Sequence, residues 1–132
     1  PPVLQHRAEY ASIGLPSPDD LDLLGSAARA LIAAGARDVV VKHGAEGATA
    51  ITEAGEESVP AHRVRVVDSI GAGDAFSAGY LSAVLDGADV GERLRRGTAL
   101  GAFAVASMGD WEGLPTRDEL DLIRAGEGAA IR

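Results

Sequence analysis

Hydrophobic and polar positions follow two rhythms along this chain. In "SPDDLDLLGSAARALIAAGARDVVVKHG", Leu21, Leu24, Ala28, Leu31 and Ile32 recur at the spacing of one helical face. Ser17 or Asp19 is placed to cap that helix, Pro18 and acidic residues fill its first turn, and Gly35 ends it. The run Val39 to Val41 within "RDVVVKH" does not alternate, which predicts a strand covered on both sides, as in a parallel sheet. "GATAITEAGEESVPA" predicts two short strands about a turn at Gly55, and "VRVVD" predicts a further strand over Val64–Val67. "GDAFSAGYLSAVLDG" predicts a helix beginning near Gly73 or Asp74, with Phe76, Tyr80, Leu81, Val84 and Leu85 as packing residues. "DVGERLRRGTALGAFAVASMG" predicts a second helix whose Ala and Gly content permits close approach of another backbone or a ligand. "TRDELDLIRAGEGAAI" predicts a last amphipathic helix, with Thr116 as cap and Glu119 three residues on. The alternation is an α/β layer pattern with no internal repeat or long linker. The prolines of "PPVLQH" shorten any first strand, so the pattern predicts half of a sheet.

Composition narrows the partners. With 132 residues, 46% of them hydrophobic, the chain can form one domain with a real core. Net charge is -8, and an acidic surface repels phosphate backbones, so no nucleic-acid partner is expected. There is no cysteine, which excludes disulfides and thiolate metal sites and suits a reducing compartment. No apolar run is long enough for a membrane helix and no signal-peptide pattern opens the chain, so no membrane association is expected. The absence of an initiating Met predicts that the sequence is a piece of something longer.

Candidate chemistry gathers in "VVDSIGAGDAFSAG", Val66 to Gly79. The predicted strand ends at Asp68, three small residues follow, and Asp74 opens the next helix. Gly71 and Gly73 tolerate unusual dihedrals and carry no side chain to block an approaching group. First-turn amides have no acceptor within their own helix. With the positive end of the helix dipole they form a cradle for an anion, most often phosphate. Asp74 has two readings: a capping carboxylate, or a base that takes the proton of an attacking hydroxyl beside a bound phosphate. No Gly-Lys-Ser/Thr follows, so the loop is not a P-loop, and Phe76 stands where the dinucleotide fingerprint has its third glycine.

"DSIGAGDAFSAG" closely resembles the signature "DTTGAGDAFxxG" of the ribokinase-like carbohydrate kinases, the PfkB family. The resemblance implies the C-terminal portion of a three-layer α/β/α sandwich spanning residues 1–132, with the lid and N-terminal strands absent. It implies transfer of the ATP γ-phosphate to a sugar or nucleoside hydroxyl. Asp74 then matches the catalytic base, Gly71, Ala72 and Gly73 the anion hole, and Asp68 the aspartate that organises the loop and its cations. Ser69 and Ile70 replace two threonines, and isoleucine loses a hydroxyl. "VVVKHGAEGA" is similar to the family segment whose G-x-x-G turn lies beside the nucleotide phosphates, implying nucleotide contacts for Lys42, Gly44 and Gly47, against the plain reading of a tight turn. "HRAEYASIG" resembles the N-x-x-E element, implying that Glu9 holds magnesium, with His6 where asparagine is usual. Thr98 occupies an asparagine position near the nucleotide, and Ala102, Phe103 and Ala106 either line the base or belong to the core. "GDWEGLP" looks most like the 2-keto-3-deoxygluconate kinases, with packing as the default role of Trp111.

The cofactors so implied are ATP and Mg2+, with a monovalent cation as an optional third. The substrate is a sugar or sugar acid, the compartment cytoplasmic, and the full-length protein a candidate homodimer or larger homo-oligomer. The missing part of the family pattern carries most sugar contacts, so the chain alone is expected to be inactive and, through an open sheet edge, prone to association. Two other classes remain beside the kinase: a non-catalytic nucleotide- or anion-binding fragment, and a structural α/β domain whose glycines serve only a turn. A metal hydrolase is disfavoured, because His6, His43 and His62 lack ligand spacing.

Overall fold

A computed structural model describes residues 18–109 and 111–120. They form two compact units that divide between Pro60 and Ala61. The proposed first strand, His6, Glu9 and the cap Ser17 lie outside the described residues.

The first unit contains α1 (Pro18–Ala33), β1 (Asp38–Lys42), a 3-10 turn (Gly44–Glu46), β2 (Ala48–Thr52) and β3 (Gly55–Val59). Gly35 ends α1 as its position suggested. It adopts φ +105°, its N–H donates to Ile32 O at 3.0 Å, and Ala36 N–H donates to Leu31 O at 3.0 Å. These bonds satisfy carbonyls that the helix leaves open at its C-terminus. Ala28 of α1, Val41 of β1 and Ile51 of β2 form the buried centre, with Leu24, Ile32 and Val39 packed against it.

The sheet differs from the expected parallel arrangement. Its order is β1-β2-β3 and both pairings are antiparallel, with Val40 opposite Ala50 and Ala50 opposite Glu57. The connections decide this. Residues 43–47 join β1 to β2, and Glu53 and Ala54 alone join β2 to β3. A parallel neighbour would need a crossover of about a dozen residues or more. The turn about Gly55, at φ +135°, is as predicted. β3 is largely exposed and carries Glu56 and Glu57, charges that discourage pairing of an open edge.

The second unit is built on α2 (Ala72–Leu85) and α3 (Val90–Val105), joined by the short link 86–89 and packed antiparallel. Asp89 caps α3 by accepting from Glu92 N–H at 2.8 Å. Glycine sets how closely the helices approach. A Cβ on Gly79 would lie 2.7 Å from Arg96 O, and one on Gly97 would lie 2.9 Å from the Phe76 ring. Phe76 and Tyr80 are buried, with centroids 6.2 Å apart. Asp86 at the end of α2 accepts from Arg96 Nη1 at 2.7 Å and from Arg117 Nη1 at 2.7 and 2.9 Å. The Arg96 hydrogen bond, followed by that of Arg117, holds the Asp86 carboxyl below the ordinary aspartate range. Residues 117–120 are helical, and Glu119 accepts from Thr116 N–H at 2.7 Å and from the Thr116 hydroxyl at 3.0 Å, so only the glutamate half of the expected capping pair is made.

Three expectations are corrected here. Val64–Val67 forms no strand among the described residues, and Val66 is 64% exposed. A strand exists by pairing, and this segment's bonds go instead to a helix end: Val67 N–H and Asp68 N–H both donate to Val105 O, at 2.7 and 3.2 Å. Leu81, Val84 and Leu85 of α2 are exposed, Leu85 by 85%, because α3 packs on the face that carries Phe76 and Gly79. Trp111 is 72% exposed rather than packed. Among the described residues no helix is long and apolar enough to cross a membrane.

Gly79→Ala should destabilise the second unit. The added methyl meets backbone, which cannot rotate away as a side chain can. Separating the helices costs about 1–3 kcal/mol, against about 1 kcal/mol returned by the better helix propensity of alanine. Urea unfolding should show a lower midpoint at unchanged slope. A midpoint equal to wild type would mean that the close approach is not needed.

Candidate functional site

Within the second unit, the corner from Asp68 to Asp74 is held from three sides. The N–H groups of Val67 and Asp68 hang on Val105 O at the end of α3. Asp68 Oδ1 accepts from Ile70 N–H at 3.0 Å, folding its side chain over the turn. Gly71 is the N-cap of α2 at φ 80° and ψ -6°, a left-handed conformation that a Cβ would strain. Ala75 N–H then closes the first helical turn on Gly71 O at 2.9 Å. The helix therefore begins at Ala72, slightly earlier than its sequence suggested.

This geometry separates the two readings of Asp74. The N-cap is a glycine and no side chain caps the helix. Asp74 lies in the first turn, is exposed, and its carboxylate makes no hydrogen bond or ion pair among the described residues. A capping role would show the carboxylate bonded to a first-turn amide. Instead it stands in the first turn of α2, at the positive end of the helix dipole. Ser77 Oγ donates to Gly73 O at 3.0 Å, so the next turn is tied in as well.

α3 supports the corner from behind. Ala75 is buried with Leu100 and Ala104, and Ala72 packs against them. Gly101 of α3 also lies near Ala72, where a Cβ would make an ordinary contact 3.5 Å from Ala72 O. Thr98 and Ala102, one turn apart on α3, are both buried. The Thr98 hydroxyl donates to Arg95 O at 3.0 Å within its own helix. The structure thus brings Asp68, Gly71, Ala72, Gly73 and Asp74 into one corner and places Thr98 and Ala102 on the helix that backs their unit.

Lys42, Gly44 and Gly47 belong to the first unit. Lys42 ends β1 opposite Ala48. Gly44 at φ 59° and Gly47 at φ 112° frame the 3-10 turn, and the closing bond runs from Gly47 N–H to Gly44 O at 3.2 Å. The tight-turn reading of both glycines is met by this backbone, which leaves their nucleotide role to function. His43 sits between β1 and the turn, at the N-cap of the 3-10 segment. Glu9, the proposed magnesium ligand, lies outside the described residues. Among those that are described, no group of three metal-ligating side chains forms. Mg2+ carried on polyphosphate oxygens needs only one or two carboxylates, so a cluster of three is not required of such a site. Sequence reasoning missed Val105 O, since a main-chain acceptor leaves no trace in residue type.

The profile of the pfkB family carbohydrate kinases matches residues 6–117. The chain belongs to this family. It is 46% identical over 87 residues to the 2-dehydro-3-deoxygluconokinase of Bacillus subtilis (strain 168), a match covering 65% of this chain and 27% of that enzyme. An E. coli protein assigned as a ribokinase II, solved with ATP and Mg2+, superimposes with a TM-score of 0.72 at 29% identity, covering 76% of this chain and 33% of that one. The nucleoside kinase of Burkholderia thailandensis in complex with ADP-inosine gives 0.66 at 35% identity, covering 71% and 30%. The fold is thus a partial ribokinase-like α/β unit, and the chain spans about a third or less of these relatives' length.

Asp68→Ala removes the acceptor of Ile70 N–H. Amide hydrogen exchange at Ile70 and Gly71 should speed by about ten-fold while the α3 amides are unaffected, as expected for loss of one local hydrogen bond. Unchanged exchange would show that Val105 O alone holds the corner.

Proposed function

We propose that this chain carries the catalytic part of an ATP-dependent kinase acting on a hydroxyl of a sugar or sugar acid, with 2-keto-3-deoxygluconate as the leading acceptor. The observation that carries the reading is the Asp74 carboxylate, displayed without a hydrogen-bond partner among the described residues at a helix N-terminus whose cap is a left-handed glycine. The identity to a 2-dehydro-3-deoxygluconokinase supports the choice of acceptor.

Each residue then has a task. Asp74 accepts the proton of the acceptor hydroxyl as its oxygen attacks the γ-phosphorus. The bond from that phosphorus to the β–γ bridging oxygen breaks, and its electron pair leaves with ADP. The amides of the Gly71–Gly73 turn, aided by the dipole of α2, hold the negative charge of the transferring group. Asp68 keeps the turn in shape through Ile70 N–H. Lys42 and the Gly44–Gly47 turn contact the nucleotide, and Thr98 and Ala102 lie toward its base. Mg2+, when bound, supplies countercharge to the polyphosphate. Such a kinase works where ATP is abundant, so its compartment is the cytoplasm.

A nucleoside acceptor is the second reading, favoured by the likeness to the B. thailandensis nucleoside kinase. Assay of the full-length gene product with Mg-ATP against sugar acids, hexoses, pentoses and nucleosides separates the two. Phosphorylation of none, with ATP still bound, would leave a non-catalytic nucleotide-binding protein.

Asp74→Asn should lower kcat by about 10^2- to 10^4-fold and leave ATP affinity within two-fold, about what loss of a general base costs. Full activity in that variant would exclude the base assignment. Gly73→Val should crowd the cradle and weaken ATP binding by about ten-fold or more in calorimetry. Unchanged affinity would rule out the anion hole.

A further inference from the structure

The first unit holds a chain of polar side chains that the mechanism above does not use. His43 Nε2 lies 3.1 Å from Thr49 Oγ1, and Thr49 Oγ1 lies 2.8 Å from Ser58 Oγ. Thr49 stands opposite Val41 on one side and Ser58 on the other, so the chain crosses the hairpin on one face and reaches the end of β1. Thr49 is buried. Either direction of donation satisfies it. A neutral Nε2 can accept from Thr49, which accepts from Ser58, or Nε2–H can donate to Thr49, which donates to Ser58.

The main chain of His43 is also the hinge of the adjoining turn. Its N–H donates to Gly47 O at 2.8 Å and its carbonyl accepts from Glu46 N–H at 3.2 Å. The turn is held by main-chain bonds: besides those two, Gly47 N–H donates to Gly44 O at 3.2 Å. Gly44 and Gly47 have no side chains, and Ala45 and Glu46 are exposed. His43, Thr49 and Ser58 all line a cavity of about 610 Å³ on this face, bordered by Leu24, Val41 and Ile51. A ring beside such space is oriented by its hydrogen bond more than by its neighbours.

We propose that His43, Thr49 and Ser58 form a positioning relay that fixes the Gly44–Gly47 turn from behind and so sets the affinity for the nucleotide phosphates. This rests on the kinase reading, in which that turn contacts ATP. His43 is a positioning residue here, acting through the backbone it anchors.

Thr49→Val tests the relay, since it keeps volume and β-branching and removes only the hydroxyl. In the full-length gene product, KM for ATP should rise about five-fold with kcat within two-fold of wild type, and Thr49→Ser should restore KM. Exchange at the Glu46 and Gly47 amides should speed in Thr49→Val and recover in Thr49→Ser. His43→Leu should raise KM similarly, and the double variant should be no worse than either single one. An unchanged KM in Thr49→Val, or a raised KM that Thr49→Ser does not rescue, would overturn the relay while leaving the kinase reading intact. A wild-type protein that binds no Mg-ATP would overturn both.

Discussion

The constraint on which the second unit depends is the close approach of α2 and α3. Where Gly79 faces Arg96 O and Gly97 faces the Phe76 ring, neither helix has room for a further carbon. That contact fixes how α2 lies against α3, and hence where its first turn points. The far end of α3 completes the arrangement: Val105 O holds the two amides that precede the turn. A first turn free to pivot could not keep a carboxylate and a set of amides aimed at one place. Positioning of this kind is most of what phosphoryl transfer asks of a protein.

The first unit solves a related problem differently. Its glycine turn has positive φ at both ends and is held through His43, whose main chain closes the turn and whose ring bonds the Thr49 hydroxyl, itself bonded to Ser58. In one unit, close backbone packing supplies rigidity. In the other, directional hydrogen bonds do, beside a cavity that leaves packing incomplete. Each device holds glycine backbone of the kind an anion can approach.

Much of this was readable in residue order. The helix end at Gly35, the hairpin about Gly55, and the reach of Glu119 back to Thr116 N–H follow from local chemistry, and all are formed. The Asp68–Asp74 corner was legible because it is one contiguous string whose residue types answer to one task. The corrections fall where a partner distant in sequence decides. Val64–Val67 has the composition of a strand and lacks a neighbour to pair with among the described residues. Leu81 and Leu85 have the character of core residues and lie on the side of α2 that α3 does not cover.

The amino-acid sequence by itself determined the family, the helices, the hairpin about Gly55, and the glycine string at the start of α2. These depend on periodicity, on caps, and on glycines at set positions, all properties of neighbouring residues. Only the tertiary structure decided that β1 pairs antiparallel with β2, that the main chain of Val105 anchors the corner, and that Asp74 stands clear of any cap. It also decided that the His43 ring meets Thr49, and Thr49 meets Ser58. Each of these depends on which atoms meet after the chain has turned back on itself, and pairing geometry of that kind is not encoded in any short window of residue types.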